Sequence, residues 1–317
     1  MARVSVSIPC YNAVSSERTE RWLRESIQSV LDQTFADLEL LLIDDGSADG
    51  TVEVLAEYED ADDRVRVIRQ ENGGYPAARN TGLNEASGEY VAFIGQDDRW
   101  LPEKLDRQLS ILEETGADLL HTNVYHIDGD GERTGIRQSE RPPEQRDREA
   151  FIRELFLGNF VCIQSVLATR DAIGDHRFDE SLQINCDHDM WLRLASECDI
   201  RYTDELLLEK RYHGANTSGN YERIFEERKV IAEKAVNLYP FLEPLKGRKL
   251  GDAYYIYGKE SLANSKAGRA RASLLTALKH DPANVETYAT LLASLLGGSV
   301  GGKIVSALSN PRPGRQL

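Results

Sequence analysis

Two adjacent carboxylates stand where an apolar strand stops: in FIGQDDRW, Asp97 and Asp98 follow the run YVAF and the pair Gly95-Gln96. Like charges side by side stay ionised only where water, a cation or a donor-rich ligand relieves them. A second acidic pair, Asp44-Asp45, closes the run LELLLI and leads into GSADGT. Plain turn chemistry is the alternative for either pair, because Asp tolerates turn and helix-cap geometry. No GxGxxG accompanies these acids, so the glycine turn that lets a helix N-terminus meet a dinucleotide pyrophosphate is missing. A divalent cation bridging carboxylate and diphosphate oxygens answers the same need. The chemistry indicated is therefore metal-assisted binding of a nucleotide diphosphate compound.

The elements that would position these groups are legible as a pattern. Over the first half of the chain, short apolar runs alternate with amphipathic segments, as in βαβ units around a parallel sheet. Strands are expected over 4–8, 38–43, 65–68 and 90–94. Helices are expected over 18–33, where Trp22, Leu23, Ile27, Val30 and Leu31 form one stripe, after DDGSADGT with Ser47 or Asp49 as cap, over 76–86 and over 102–115. Ligands bind outside the carboxyl ends of such strands. That rule gathers Pro9-Cys10-Tyr11-Asn12, Asp44-Asp45-Gly46-Ser47 and Gly95-Gln96-Asp97-Asp98 on one rim.

Further along, DLLHTNVYHI suits another strand and DGDGERTG a hairpin-like turn, while 137–149 is polar, carries two prolines and reads as a loop. In INCDHDMWLRLA acidic residues precede a helix carrying Met190, Trp191, Leu194 and Ala195, and KRYHGANTSGN sets His213 in a Gly- and Asn-rich loop. From 221 the pattern is helical, with a weak likeness to tetratricopeptide hairpins over 251–298. The organisation expected is a domain over 1–220 and a helical C-terminal extension over 221–317 packed on it. The apolar stretch 288–308, charged only at Lys303, reads either as a packing helix or as an interfacial membrane helix.

Composition bounds the function. With 317 residues and 41% hydrophobic content, the chain can bury a sizeable core. MARVSVSIP enters a strand pattern directly, with none of the features of a signal peptide, and no run of apolar residues is long enough to span a bilayer. A cytoplasmic protein is expected, dissolved or peripheral at the inner face of the cell membrane. The four cysteines form no CxxC, which favours reduced thiols. Cys186, His188, Cys198 and His213 match no usual zinc spacing. A net charge of -15 spread along the chain makes nucleic acid a poor partner. The first hundred residues contain no Lys, and a diffuse acidic surface of this kind suits a salt-rich cytoplasm.

Five stretches, in this order, resemble one family: VSVSIPCYN at 4–12, SIQSVLDQTFADLELLLIDDGSADGT at 26–51, ENGGYPAARNTGLNEASGEYVAFIGQDDRW at 71–100, CDHDMWLRLA at 186–195 and RYHGANTS at 211–218. The family is that of the inverting glycosyltransferases of family 2, whose nucleotide-sugar-binding fold is called GT-A. The resemblance covers residues 3 to about 220 and implies an α/β fold, Rossmann-like, with a mostly parallel sheet flanked by helices. It implies that Pro9, Tyr11 and Asn12 line the base pocket, with Asp45 accepting from the base and Asp44 beside it. Arg79, with Asn72 and Gly73, would lie near the ribose or phosphates. Asp97 matches the metal-binding Asp of a DxD motif, His213 the histidine that completes the metal or diphosphate site, and Asp187 the catalytic base. The implied cofactor is Mn2+ or Mg2+.

Three departures qualify the match. Gly95 stands where the family usually has Asp, with Gln96 as a partial replacement toward the ribose, and Gly95→Asp is expected to tighten donor binding if only a contact has been lost. Cys186 stands where the family has Glu. QxxRW and spanning helices are absent, which implies transfer of one sugar, without processivity. The expected activity is transfer from a nucleotide-sugar donor to a hydroxyl of a glycan or lipid-linked acceptor. The alternative is a catalytically silent nucleotide-sugar-binding protein. A phosphoacceptor signalling domain would leave NGGYPAARN and CDHDMWLRLA unexplained. Simpler roles compete at single positions: Asp45 as a helix cap, Tyr11 as a rim aromatic, Arg79 in a surface ion pair, His213 as a loop histidine, and Asp189 as a charge favourable to a helix start.

Overall fold

The computed structural model describes residues 2–137, 147–213 and 220–297. The chain divides into two compact units, Met1–Phe151 with Phe160–Gly214, and Ile152–Asn159 with Ala215–Leu317.

In the first unit, β1 (Val4–Cys10) and β2 (Leu38–Asp44) are buried along their whole length. Strands covered on both faces read as continuous apolar runs, which is why VSVSI and LELLLI lack alternation. The two strands pair in parallel with Cys10 opposite Asp44, so they end in step and release Tyr11 and Asp45 at one rim. Between them α1 (Glu17–Leu31) starts from a capping box at Ser16 and Thr19 and buries Trp22, Leu23, Ile27 and Val30. After β2 come α2 (Thr51–Ala61), β3 (Val65–Arg69), α3 (Tyr75–Glu85) and β4 (Tyr90–Phe93). The order β3-β2-β1-β4 is parallel throughout.

Beyond β4 the sheet is mixed. The elements in chain order are β5 (Arg99–Trp100), α4 (Lys104–Thr115), β6 (Leu119–Ile127), β7 (Arg133–Arg137) and α5 (Arg148–Leu157). A turn at Ile163–Ser165, β8 (Leu167–Thr169), α6 (Arg170–Ile173), α7 (Cys186–Leu194) and β9 (Ile200–Arg211) follow. β8 runs antiparallel to both β4 and β6, so β6 points the same way as β4, and β9 pairs parallel with β6. The ends of β6 and β9 therefore reach the same rim as β1, β2 and β4. β5 pairs antiparallel with β9, Arg99 opposite Glu209, which folds the chain after Asp98 back against the end of β9.

Several elements differ from the sequence reading. α7 begins at Cys186, so Asp187 lies inside its first turn and not before it. Lys210 and Arg211 belong to β9 and not to a loop. β9 itself, IRYTDELLLEKR, goes unread because charged residues interrupt its alternation; Arg99 and Arg133 neutralise Glu209 from neighbouring strands. Residues 138–146, the sequon Asn216-Thr217-Ser218 and 298–308 of the apolar stretch lie outside the described residues.

The second unit is helical, with α8 (Tyr221–Leu238), α9 (Glu243–Ala263), α10 (Ala267–His280) and α11 (Val285–Ser294). α10 packs closely on α9: a Cβ on Gly258 would come 2.8 Å from Leu274 Cγ, and the Tyr254 ring stacks on His280 at 5.5 Å. Leu262, Ala270 and Ala293 form its small core. Among the described residues no helix is long and apolar enough to cross a membrane.

One buried charge in the first unit yields a pH signature. Lys104 is fully buried, lies 4.0 Å from the Trp100 ring centroid, and donates to Gln108 Oε1. Gln108 in turn donates to the carbonyls of Leu120 and Ser165, tying α4 to the sheet. Burial pulls the Lys104 ammonium down from 10.5 to about 7. Between those values the unfolded chain holds a proton that the folded one lacks, so stability rises with pH across that window. One such proton is worth about 1.4 kcal/mol per pH unit. Lys104→Met is expected to flatten this rise, measured as urea midpoints at pH 7 and pH 9; an unchanged slope would show that Lys104 stays charged in the fold.

Candidate active site

The rim loops are cross-braced by side chains from GSADGT. Asn12 takes a positive φ of 45° and donates its N–H to Ser47 Oγ at 3.0 Å, while its Oδ1 accepts from Ala48 N at 2.9 Å. Ala13 N donates to Thr51 Oγ1 and Val14 N to Asp49 Oδ2. Ser47 and Asp49 thus hold the loop after β1; α2 has Gly50 at its cap position, without a side-chain cap bond. Pro9 sits within β1 opposite Ile43, and the Tyr11 ring beyond it is 46% exposed, open to a stacking partner.

The second acidic pair organises the neighbouring loop. Asp44 and Asp45 are both buried. Asp44 Oδ1 accepts from Ser47 N at 3.1 Å, and Asp45 accepts from Gln70 Nε2 at 2.7 Å, Gly73 N at 2.9 Å and Gly74 N at 2.8 Å. Asn72 Nδ2 donates to the Asp45 carbonyl at 3.0 Å. Two glycines permit this wrap: Gly46, at φ +74°, would bring a Cβ 2.9 Å from Asn72 N, and Gly74 lies at φ +83°. Asp45 is no helix cap. It fixes the Asn72-Gly73 loop, and a base contact would fall to the remaining lone pairs of a carboxylate that can accept about four bonds.

Arg79 makes no ion pair among the described residues, which removes the surface-bridge reading. Its guanidinium packs near the rings of Tyr75 and Phe178, with Nη1 3.2 Å from Cys186 Sγ. Cys186 is the first residue of α7, so Arg79 stands beside the turn that carries Asp187. Asp187 is half-buried, and its Oδ1 accepts from His188 N at 2.7 Å. Asp189 is placed differently: it is buried and accepts from Arg193 Nε at 3.0 Å. The two acids of α7 are not equivalent.

At the opening motif the structure brings Asp97 and His213 together, with Nε2 2.8 Å from Asp97 Oδ2. The Trp22 ring packs on the His213 ring at 4.6 Å and fixes its orientation. Arg211 locks this corner. It is 1% exposed; its N–H donates to Asp98 Oδ1, its Nε to the Asp97 carbonyl, its Nη1 to the Asp128 carbonyl and its Nη2 to Glu25 Oε2. Gln96 bridges β4 to β1, accepting from Tyr11 N at 2.9 Å and donating to the Tyr11 carbonyl at 3.4 Å. Both ends of its amide thus serve the Tyr11 backbone, so a ribose contact from Gln96 is not what this geometry presents.

Asp98 is under electrostatic tension. It is 1% exposed and its Oδ2 has no hydrogen-bond partner. Burial, and then the charge of Asp97, push its carboxyl upward. The Gly95 backbone is outside the left-handed region, but a Cβ there would come 2.7 Å from Asp98 Oδ2 and 2.9 Å from Asp97 Oδ1. A side chain at 95 would therefore enter beside two carboxylate oxygens, which favours close approach over a lost contact as the reason for glycine here.

Among the described residues no three His, Cys, Asp or Glu side chains gather as a ready-made metal site. The zinc grouping around Cys186, His188, Cys198 and His213 is thereby set aside. What stands at the rim is one carboxylate and one imidazole, with an orphaned carboxylate oxygen and an open space beside them. That donor set fits an oxygen-preferring divalent cation that takes its remaining ligands from water or a diphosphate.

The parallel half-sheet, its mixed extension and the acidic rim define a glycosyltransferase-type α/β domain. The family model for glycosyl transferase family 2 matches residues 5–176, and the chain belongs to that family. It is 31% identical over 219 residues, 68% of this chain and 82% of the relative, to the Bacillus subtilis glycosyltransferase TuaG, named for teichuronic acid biosynthesis. It is 28% identical to an uncharacterized glycosyltransferase of Rickettsia typhi, over 72% of this chain and 70% of that one. A Rickettsia conorii glycosyltransferase is 30% identical over 68% of this chain, and there the match spans 34% of the relative's length. Among solved structures, S. aureus TarS 1-349 in complex with UDP-GlcNAc superposes with a TM-score of 0.63 at 17% identity, over 96% of this chain and 90% of that one. The mannosyltransferase of Pyrobaculum calidifontis in complex with GDP-Man and Mn2+ gives 0.58 at 16% identity, covering 95% and 87%. These likenesses establish the GT-A fold.

Two outcomes follow from the corner at Asp97 and Asp98. Arg211→Met strips a buried cation from Glu25 and from the Asp97–Asp98 turn, and is expected to cost about 3–5 kcal/mol in urea unfolding. A loss below 1 kcal/mol would show that the corner holds without it. Gly95→Ala, like Gly95→Asp, is expected to weaken Mn2+ binding roughly tenfold, about 1.4 kcal/mol by titration calorimetry. Tighter binding by either variant would mean that the carboxylates yield freely and that a contact is missing after all.

Proposed function

We propose that the protein is an inverting, non-processive glycosyltransferase, moving one sugar from a nucleotide diphosphate sugar to a hydroxyl of a glycan or lipid-linked acceptor. Residues 1–220 would form its transferase domain and 221–317 a helical extension. Its setting would be the assembly of cell-surface glycan, polysaccharide or glycoprotein glycan, in the cytoplasm or at the inner face of the cell membrane. The observation that carries the reading is the Asp97–His213 pair at 2.8 Å, held on the strand-end rim of a family 2 fold. The UDP-GlcNAc bound by TarS and the GDP-Man bound by the mannosyltransferase support the donor class, and the Mn2+ of the latter supports the cofactor.

In this reading Tyr11 and Asn12, with Pro9 before them, receive the base, and the Asp45-braced loop at Asn72-Gly73 borders the ribose. Arg79 stands toward the diphosphate, from beside α7. Asp97 and His213 would hold Mn2+ or Mg2+, which when bound offsets the charge developing on the departing diphosphate. Inversion in one displacement requires the acceptor hydroxyl to attack from the face opposite the diphosphate while a positioned carboxylate takes its proton. Asp187 is the acid of α7 assigned to this: it is half-buried in the first turn beside Arg79 and Cys186, whereas Asp189 is buried against Arg193.

The test begins with a thermal-shift screen of UDP- and GDP-sugars with and without Mn2+. Asp97→Ala should abolish the metal-dependent shift while leaving the apo melting temperature within a few degrees. Asp187→Asn should lower transfer by roughly 10²- to 10⁴-fold with near-normal donor binding. Asp189→Asn should instead lower stability by about 1–3 kcal/mol and leave transfer by the folded protein largely intact. The reverse ranking, or a product of retained anomeric configuration, would overturn the assignment. A metal-dependent shift without any donor turnover would identify a silent nucleotide-sugar-binding protein.

A further inference from the structure

Resting on the transferase reading, we propose that Lys210, Tyr212 and His126 form an acceptor subsite selective for a sugar that carries a carboxylate or phosphate group. The placement comes from the sheet. β6 and β9 run parallel to the rim, and Tyr212 N donates to the Ile127 carbonyl at 2.8 Å, so the end of β9 stays registered on the end of β6. Successive residues alternate sides along such a strand end. The Arg211 guanidinium binds the Asp97 carbonyl and the His213 ring meets the Asp97 carboxylate, and Lys210 and Tyr212 alternate with them along the chain, one residue from the proposed metal pair. An acceptor whose hydroxyl reaches the donor at Asp97 would lay its body along this neighbouring surface.

The groups there suit a charged sugar. The Tyr212 ring is 37% exposed and is backed by the His126 ring at a centroid distance of 4.6 Å. Such a fixed aromatic face offers sugar C–H groups an apolar platform while its hydroxyl stays available. His126 is 8% exposed and its Nε2 has no hydrogen-bond partner, a buried polar atom that awaits one. Lys210 Nζ stands 5.9 Å from the Tyr212 ring centroid; no carboxylate among the described residues lies within ion-pair distance of it, and the charge of Asp98 bears on it from farther away. Its neighbours in the strand are served: Glu209 by Arg99 and Arg133, and Arg211 by Glu25. Arg137, at the end of β7, bears electrostatically on His126, Lys210 and Tyr212 and adds to the positive field. In a chain of net charge -15, an anionic acceptor needs such a local reversal of sign to approach the rim. A lysine ammonium supplies it as a point charge that accepts either carboxylate or phosphate oxygens.

The test uses the full chain and three probes: 4-nitrophenyl β-D-glucuronide, 4-nitrophenyl β-D-glucoside 6-phosphate and the neutral glucoside. Saturation-transfer NMR reads binding without turnover, and donor hydrolysis in the absence of acceptor reads the transferase reading separately. The wild type should bind one or both charged probes at least tenfold more tightly than the neutral one. Lys210→Gln should erase that preference, with a loss of charged-probe affinity that exceeds any loss of UDP affinity. Tyr212→Leu, checked for an unchanged melting temperature, should weaken all three probes alike. Which charged probe binds decides between carboxylate and phosphate. Equal binding of charged and neutral probes would overturn the proposal, as would a Lys210→Gln variant whose main loss is UDP affinity, since the lysine would then serve the donor. Absent donor hydrolysis with an intact charge preference would sink the transferase reading and leave the anion subsite standing.

Discussion

The active corner depends on one buried guanidinium. Arg211 reaches the fold from the last residue of β9 and joins α1 through Glu25, the Asp97–Asp98 turn through two bonds, and the loop after β6 through the Asp128 carbonyl. These segments lie far apart in sequence, and the bonds that tie them are satisfied in one arrangement only. A lysine could not do this, because its single ammonium lacks the planar fork that serves a carboxylate and two carbonyls at once. The charge also tempers the repulsion between Asp97 and Asp98, which sit on the same turn. Trp22 completes the arrangement by lying under both Arg211 and His213. The stripe that packs α1 into the core therefore also positions the imidazole.

The two acidic pairs look alike as sequence and behave differently. Asp44 and Asp45 are surrounded by N–H donors, and their carboxylates act as internal anchors that bend the loops at 47 and 70–74 around them. Asp98 is different, its Oδ1 being served by the Arg211 N–H. One Asp98 oxygen is left without a partner, and Gly95 withholds the methylene that would fill the space in front of it. An unpartnered buried carboxylate oxygen is costly, and such a cost persists where a ligand offsets it. Local accounting of donors thus distinguishes the structural acids from those left for chemistry.

Much of this was legible in the chain. The strands before residue 100 appear as apolar runs because burial on both faces forces apolar side chains, and their ends are marked by Asp, Gly and Asn, which the rim turns require. Asp97 and His213 are paired in the sequence only through the family resemblance, since 116 positions separate them and no spacing rule joins them. Partnership was not legible. Gln96 is polar and at the rim, yet its amide faces the Tyr11 backbone; Asp45 is acidic and at the rim, yet holds a loop. β9 was missed for the same reason, since a strand whose charges are neutralised by Arg99, Arg133 and Glu25 does not alternate in its own sequence. A side chain's type is local, whereas its hydrogen-bond partner is decided by the tertiary fold.

Partner accounting also explains why arginine dominates this chain near the rim. Arg99, Arg133 and Arg211 each face a carboxylate on another element, and each such pair holds two elements together. Arginine favours this use because its fork keeps direction when partly desolvated. Lys210 breaks the pattern twice over, by residue type and by meeting no carboxylate within ion-pair distance among the described residues, Asp98 acting on it only at longer range. A flexible point charge makes a poor structural clamp but an adaptable ligand contact, able to follow an anionic group that arrives in more than one pose. Where the fold has placed clamps, the substitution of a different cation marks the position at which the partner is expected from outside the chain.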